Sequence, residues 1–284
     1  MNYNDQLQQL IKNALAEDIG DGDHSTLSSI DAGAKGKAVL RIKEDGLLAG
    51  VSVAEKIFRF MQPDIIFTAC KKDGDNMKYG EVAFDVEARV HTILQTERLV
   101  LNTMQRMSGI ATLTKTYVDK LKGFTTKLLD TRKTTPNFRL LEKEAVRIGG
   151  GVNHRFGLYD MIMLKDNHID YCGSIEKAIN KAYDYVQTVK PGLKIEVETR
   201  SIDDVRRVMA VGKIDRIMLD NFTPQLITEA VKIIGGQYET EASGGINLNN
   251  IEAYAATGVD FISSGAIIHQ ARSLDLSLKA ITIN

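Results

Sequence analysis

The chain has little cysteine: two in 284 residues, Cys70 and Cys172, far apart. That excludes a disulfide framework and a CxxC metal pair, and it fits a reducing compartment. Long hydrophobic runs are missing too. No stretch approaches the roughly 18 apolar residues a membrane span needs. The N-terminal MNYNDQLQQLIKNALAED lacks the basic-then-apolar order of a secretory signal. The expectation is a cytoplasmic protein with no membrane partner. Charge of one sign is not in excess, since Lys plus Arg number 36, Asp plus Glu 37 and the formal net charge is -1. A protein that neutralises phosphates along nucleic acid needs a positive surplus, so nucleic acid is excluded as a partner. The only prolines, Pro63, Pro136, Pro191 and Pro224, fall at expected loops or helix starts. No GxGxxG follows an early strand, which argues against a dinucleotide fold.

What is present is an ordinary folded composition, 43% hydrophobic and 26% charged, long enough for one large domain or two smaller ones. The first third mixes elements. Leu7 to Ala16 has the spacing of an amphipathic helix, Lys37 to Lys43 alternates like a strand, and Val53 to Met61 reads as a helix. Ile65 to Ala69 and Val82 to Ile93 read as strands. Thr96 to about Leu121 reads as a helix, with Ser108-Gly109 expected to break or bend it.

From about residue 125 one unit recurs: a short apolar run, a polar residue at its end, a loop, then a helical pattern. The runs end at Asp130, Lys165, Glu198, Asp220, Ser243 and Ser264, separated by 35, 33, 22, 23 and 21 residues. That is the length of a strand-helix unit in a parallel array. Ser174, Ser201 and Thr223-Pro224 mark helix starts between them. Six units predict a closed or nearly closed α/β barrel, with its chemistry at the C-terminal strand ends.

The densest chemical signal runs from Arg132 to His168, where seven Lys or Arg stand against four acids. Arg132, Lys133, Arg155 and Lys165 are expected to meet at the barrel mouth. Arginine forks and a lysine point charge suit a small, multiply anionic ligand. Arg139, Lys143 and Arg147, at helical intervals, read instead as a solvated face. His154 and His168 each read either as a ligand contact or as a structural hydrogen bonder. Glu198 and Asp220 end adjacent strands, where carboxylates can hold hydrated Mg²⁺ or sugar hydroxyls, or simply balance nearby cations. Glu196 shares a strand face with Glu198, and spacing leaves open which of them faces a substrate. Ser243-Gly244-Gly245 and Ser264-Gly265-Ala266 follow the last two runs, the usual place for a phosphate in a barrel.

Several words carry a resemblance: ALAEDIGDGDHST at 14–26, ERLVLNTMQRMSGIAT at 97–112 and DTRKTTP at 130–136. EKEAVRIGGGVNHRFGLYDMIMLKDNHI at 142–169 adds to it, as do IEVE at 195–198, MLDN at 218–221, EASGGI at 241–246 and TGVDFISSGA at 257–266. In this order they resemble the quinolinate phosphoribosyltransferase family of type II phosphoribosyltransferases. The resemblance implies an N-terminal α/β sandwich-like domain over 1–112 and an incomplete α/β barrel over 113–284, whose C-terminal tail can return to the first domain. It implies a pentosyltransferase that joins quinolinate to phosphoribosyl pyrophosphate with Mg²⁺, giving nicotinate mononucleotide, pyrophosphate and CO₂. It also implies a homodimer with shared active sites.

Under that resemblance Arg132, His154, Arg155 and Lys165 bind the quinolinate carboxylates, and Arg98 arrives from the neighbouring subunit. Thr131 and Lys133 line the site. Glu198 and Asp220 hold the ribose and Mg²⁺, directly or through water. Ser243, Gly244, Gly245, Ser264, Gly265 and Ala266 cradle the 5-phosphate. The chain departs from the family pattern at Asn137-Phe138, where Gly-Leu is usual, at Ser264, where a small apolar residue is common, and at Ile268, where threonine is common. The alternatives are a relative with another acceptor, such as the molybdenum-associated homologue, and a Schiff-base aldolase using Lys165.

Overall fold

A computed structural model describes residues 2–281, which divide into two compact units. One takes the chain up to Lys115, then Thr134–Gly150, then everything from Ile268 onward. The other takes Thr116–Lys133 and Gly151–Ile267. In chain order the strands are β1 (Lys35–Ile42), β2 (Gly46–Leu47), β3 (Ile66–Ala69), β4 (Asn76–Met77), β5 (Val82–Arg89) and β6 (Lys127–Leu129). They continue as β7 (Ile162–Leu164), β8 (Ile195–Thr199), β9 (Arg216–Asp220), β10 (Glu239–Ser243), β11 (Phe261–Ser263) and β12 (Leu276–Ile281).

The first unit is built on an antiparallel sheet of order β12-β1-β5-β3. β12 pairs with β1 from Lys37↔Ile281 to Ile42↔Leu276. The helix Tyr3–Ile19 is held at its start by the Asn2 side chain and buries Leu7, Ile11 and Leu15, the apolar stripe legible in the sequence. Helix Val51–Met61 starts on the Asp73 carboxylate, which accepts from the amides of Gly50, Val51 and Ser52. Phe58, Phe67 and Phe84 pack with ring centroids 4.6–6.3 Å apart.

Two sequence expectations fail here. The strand expected to Ile93 stops at Arg89, where its ladder partner β1 ends at Lys35, and a helix starts at Val90. That helix runs unbroken through Ser108-Gly109 to Lys120. Both residues serve close packing. A Cβ at position 109 would overlap the carbonyl oxygen of Arg272, and the Ser108 hydroxyl binds the backbone of Ala49. On the helix Arg139–Ile148 the expected solvated face holds for Arg147, which is exposed, but not for Lys143, which is buried with Glu142. Asn137, which stands where the family usually has glycine, has φ 61°, a left-handed conformation that asparagine tolerates better than most residues.

The second unit is a six-stranded parallel sheet of order β6-β11-β10-β9-β8-β7, flanked by helices. Its strand ends match the six expected run ends to within one residue. Ser174, Ser201 and Thr223 each cap a helix by accepting a backbone amide, worth about 1 kcal/mol apiece. Val152 bridges to Leu129 beside β6, and the sheet edge at β7 is separate. His154, two residues past that bridge, reaches Glu196 on β8 and Glu241 on β10. Among the described residues no hydrogen-bonded ladder joins β6 to β7, which makes an incomplete α/β barrel. Among the described residues no helix is long and apolar enough to cross a membrane.

Candidate active site

Parallel strands bring their C-terminal ends to one mouth, so Asp130, Lys165, Glu198, Asp220, Ser243 and Ser264 share that end of the barrel. The opposite end is committed to structure: Asp215 accepts from the Ile195 amide at 2.7 Å and Asp260 from the Thr240 amide at 2.8 Å.

At the mouth, Arg155 is half-buried and donates to the Met161 carbonyl at 3.3 Å. Its pKa is lowered, first by burial and then by the nearby Arg132 guanidinium. The two arginines therefore share a partly dry space and repel each other, the condition of a site made for an anion. Lys133 is exposed, with its amide bound to the Thr131 hydroxyl at 3.0 Å. Lys165 Nζ lies 3.2 Å from Glu198 Oε2. Its side chain is 46% exposed and paired to a carboxylate, the reverse of the dry, cation-flanked setting that a Schiff-base amine needs.

Glu198 and Glu196 share the inner face of β8 but sit at different depths. Glu198 is near the rim with Lys165, and Glu196 is wholly buried with His154. Asp220 accepts from Asn221 Nδ2 at 2.6 Å. Asn221 (φ 58°) donates its amide to the Ser243 carbonyl at 2.8 Å, and its side chain occupies the space that a Cβ at Gly244 would need. Gly244 has φ 95°, so both conformation and space require glycine there. Asn221 lies within the MLDN word yet went unassigned. Its signal was its place directly after the strand end. Ser264 turns its donors inward, the amide to Leu129 and the hydroxyl to Ile246, at 3.1 Å each. It ties the two glycine loops together instead of offering a donor to a phosphate. Gly245 is exposed, Gly265 half-exposed and Ala266 buried. His168 Nδ1 accepts from the Lys165 amide at 3.1 Å, so His168 is a helix cap. Arg98 is exposed on the long helix of the first unit.

His154 lies below this layer. Its amide donates to Asp130 Oδ1 at 2.8 Å, and its Nδ1 lies 2.6 Å from the Arg155 amide, a bond that only the neutral ring accepts. Its Nε2 stands 3.0 Å from Glu196 Oε2 and 3.1 Å from Glu241 Oε2. Burial opposes a charged ring, but the hydrogen bonds and charges of the two carboxylates outweigh it and raise the His154 pKa to about 9. Burial, and then the Glu241 charge, push the Glu196 carboxyl up to about 7. Arg216 completes the layer, with Nη1 3.1 Å from Glu241 and its guanidinium over the Phe261 ring at 4.3 Å. Sequence reading gave Glu241 and Arg216 no role, although Glu241 opens the EASGGI word; Arg216, at the start of β9, carries no motif.

The raised pKa values make stability fall with rising pH. The His154 contribution is complete below its unfolded value near 6.5 and is lost as pH climbs to about 9. Glu196 acts in the same direction between its ordinary value and about 7. Melting midpoints at about pH 6, 8 and 10 should decline in wild type and decline less in His154→Gln. Equal slopes would contradict the assignment.

Cations and carboxylates ringing the open end of a parallel barrel define an enzyme acting on small anions. "Quinolinate phosphoribosyl transferase, N-terminal domain" matches residues 23–108, and the corresponding C-terminal domain matches residues 110–279. The chain belongs to the quinolinate phosphoribosyltransferase family. It is 43% identical to quinolinate phosphoribosyltransferase [decarboxylating] 1b of Nicotiana tabacum, covering 97% of this chain and 83% of the relative. It is 42% identical to the probable nicotinate-nucleotide pyrophosphorylase [carboxylating] of Bacillus subtilis strain 168, covering 98% and 95%. The crystal structure of NadC from Streptococcus pyogenes matches with TM-score 0.89 and 40% identity over 98% of each chain.

Proposed function

We propose that this chain transfers the phosphoribosyl group of phosphoribosyl pyrophosphate to the ring nitrogen of quinolinate, with loss of the 2-carboxylate as CO₂. The products are nicotinate mononucleotide and pyrophosphate, as in NAD biosynthesis, in the cytoplasm. The observation that carries this reading is Arg155, half-buried at the mouth, where burial and the Arg132 guanidinium beside it both lower its pKa. A dicarboxylate relieves both costs at once.

Arg132, Arg155 and Lys165 take the quinolinate carboxylates. The ring nitrogen attacks the anomeric carbon as the pyrophosphate bond breaks, so the protein needs no nucleophile of its own. Glu198 and Asp220 face a ribose centre that becomes cationic, which their charge tolerates. They are oxygen-only donors on adjacent strands, a set that fits Mg²⁺. When bound, the ion neutralises charge on the departing pyrophosphate. Lys133 supports the same leaving group, and Thr131 holds the Lys133 backbone. The Ser243–Gly245 and Gly265–Ala266 loops receive the 5-phosphate. Decarboxylation follows with the quaternised ring nitrogen as electron sink, and a proton from water takes the place of CO₂ at C2. We place the enzyme as a homodimer in which Arg98 of the partner subunit reaches the site.

A coupled assay tests the reading. Quinolinate with phosphoribosyl pyrophosphate and Mg²⁺ should release CO₂ and pyrophosphate in equal amounts, and nicotinate as acceptor should release little pyrophosphate. Turnover of nicotinate at the same rate would refute the acceptor.

A further inference from the structure

We infer that Asn221 is a positioning residue for the phosphoribosyl donor, bracing the Asp220 carboxylate against the first glycine loop. The inference rests on the reading of the site given above. Asp220 and Ser243 are the last residues of β9 and β10 and stand opposite each other in the parallel ladder. Asn221 is the next residue along, where the two strand ends leave the sheet.

Three observations tie Asn221 to both sides. Its Nδ2 donates to Asp220 Oδ2 at 2.6 Å, and among the described residues that carboxylate receives no other hydrogen bond. Its amide donates to the Ser243 carbonyl at 2.8 Å, which carries the pairing one residue past the ladder. Its side chain lies against Gly244, in the space where a Cβ on that glycine would collide with Asn221 Oδ1 and Cγ.

The loop needs such a brace. Gly244 (φ 95°) and Gly245 (φ 65°) are consecutive left-handed glycines, a stretch with little restraint of its own. Downstream it is anchored. The Gly245 carbonyl accepts from Asn247 Nδ2 at 3.3 Å and Asn250 Nδ2 at 3.2 Å, and the Ile246 carbonyl from the Ser264 hydroxyl at 3.1 Å. Upstream, Asn221 holds the strand end from which the loop departs. Conformation alone does not explain an amide side chain at position 221, because glycine adopts φ 58° more readily. What the side chain adds is a link between a carboxylate that faces the ribose and a loop that takes the 5-phosphate, two parts of one donor molecule. Fixing their separation beforehand lowers the ordering needed to bind that donor and leaves the acceptor untouched.

The test uses the full chain with Asn221→Gly and Asn221→Asp, both of which tolerate a left-handed backbone. Asn221→Gly removes the brace and should raise the phosphoribosyl pyrophosphate KM about tenfold or more, while the quinolinate KM moves less than about threefold. Asn221→Asp keeps the shape beside Gly244 but trades the Nδ2 donor for a second carboxylate next to Asp220, so it should lose at least as much. Equal shifts in both KM values, or an Asn221→Asp donor KM within about threefold of wild type, overturn the proposal. Failure of both variants to fold also overturns it, by making Asn221 a structural residue. A substrate-free readout is hydrogen exchange at the residue 221 amide, which after correction for intrinsic rates should quicken about tenfold in Asn221→Gly. Unchanged exchange refutes the brace whatever the kinetics. Should wild type prefer another acceptor, the functional reading fails alone, and the donor KM measured with that acceptor decides this proposal. Should wild type turn over quinolinate and the Asn221→Gly donor KM stay level, this proposal fails alone.

Discussion

Arg155→Met is expected to lower kcat/KM for quinolinate by roughly 30- to 4,000-fold while the melting temperature stays level or rises. The loss follows from removing one partner of a desolvated charge pair, a change worth about 2–5 kcal/mol, at tenfold per 1.4 kcal/mol. The stability side follows from the sign of the pKa shift. A cation whose folded pKa is depressed is held at a cost at every pH below that value, so its removal does not weaken the fold through charge. Methionine keeps an apolar stem where the arginine stem packs. Steady-state kinetics with quinolinate as the varied substrate, paired with calorimetric melting, decides the matter. A variant that melts well below wild type would show Arg155 to be a structural residue. A variant with near-normal kcat/KM would remove the charge-neutralisation mechanism altogether.

The two halves of that prediction were unequally legible in the sequence. Arg132 and Lys165 could be placed because each sits at or beside the end of an apolar run, and Arg155 because it follows the triple glycine of the same basic segment; six such runs at strand-helix spacing define a parallel barrel. The caps at Ser174, Ser201 and Thr223 were readable for the same reason, since local chemistry determines them. The depth of a residue was not readable. Glu196 and Glu198 have the same strand face and the same side chain, and the step of two residues along the strand puts Glu198 at the rim and Glu196 in the buried layer. His154 looked like a ligand because of the basic segment around it, yet its ring nitrogens point at Arg155, Glu196 and Glu241. Glu241, though part of the EASGGI word, and Arg216, at the start of β9, gave no sign of their pairing, because it is made across strands far apart in the sequence. Gly109 misled in the same way. A glycine inside a helical pattern suggests a bend, whereas this one makes room for the backbone near Arg272.

Glu142→Ala should cost about 3–5 kcal/mol, the scale of breaking a buried ion pair from one side. Spacing suggested a solvated face for this helix, but the Glu142 carboxylate is wholly buried and accepts four hydrogen bonds. Oε1 receives Arg106 Nε at 3.0 Å, Arg106 Nη2 at 2.8 Å and the Thr135 hydroxyl at 2.9 Å, and Oε2 receives the Thr135 amide at 2.8 Å. Arg106 also donates to the carbonyls of Ile268 and Ala271. Alanine would strand the guanidinium charge and the Thr135 amide together, while Glu142→Gln keeps an acceptor and should fall between alanine and wild type. At about 2–4 °C per kcal/mol, the first unfolding transition of Glu142→Ala should drop by roughly 6–20 °C, or the protein should fail to accumulate in folded form. The consequence reaches the site through the chain itself. Thr135 lies in the DTRKTTP segment three residues after Arg132, so releasing its amide frees one end of the loop that carries Arg132 and Lys133. Glu142→Gln assayed well below its melting temperature should therefore lose affinity for both substrates, in contrast to the selective loss expected of Arg155→Met. A melting shift under about 3 °C for Glu142→Ala would mean that the network contributes little and that the loop is held elsewhere.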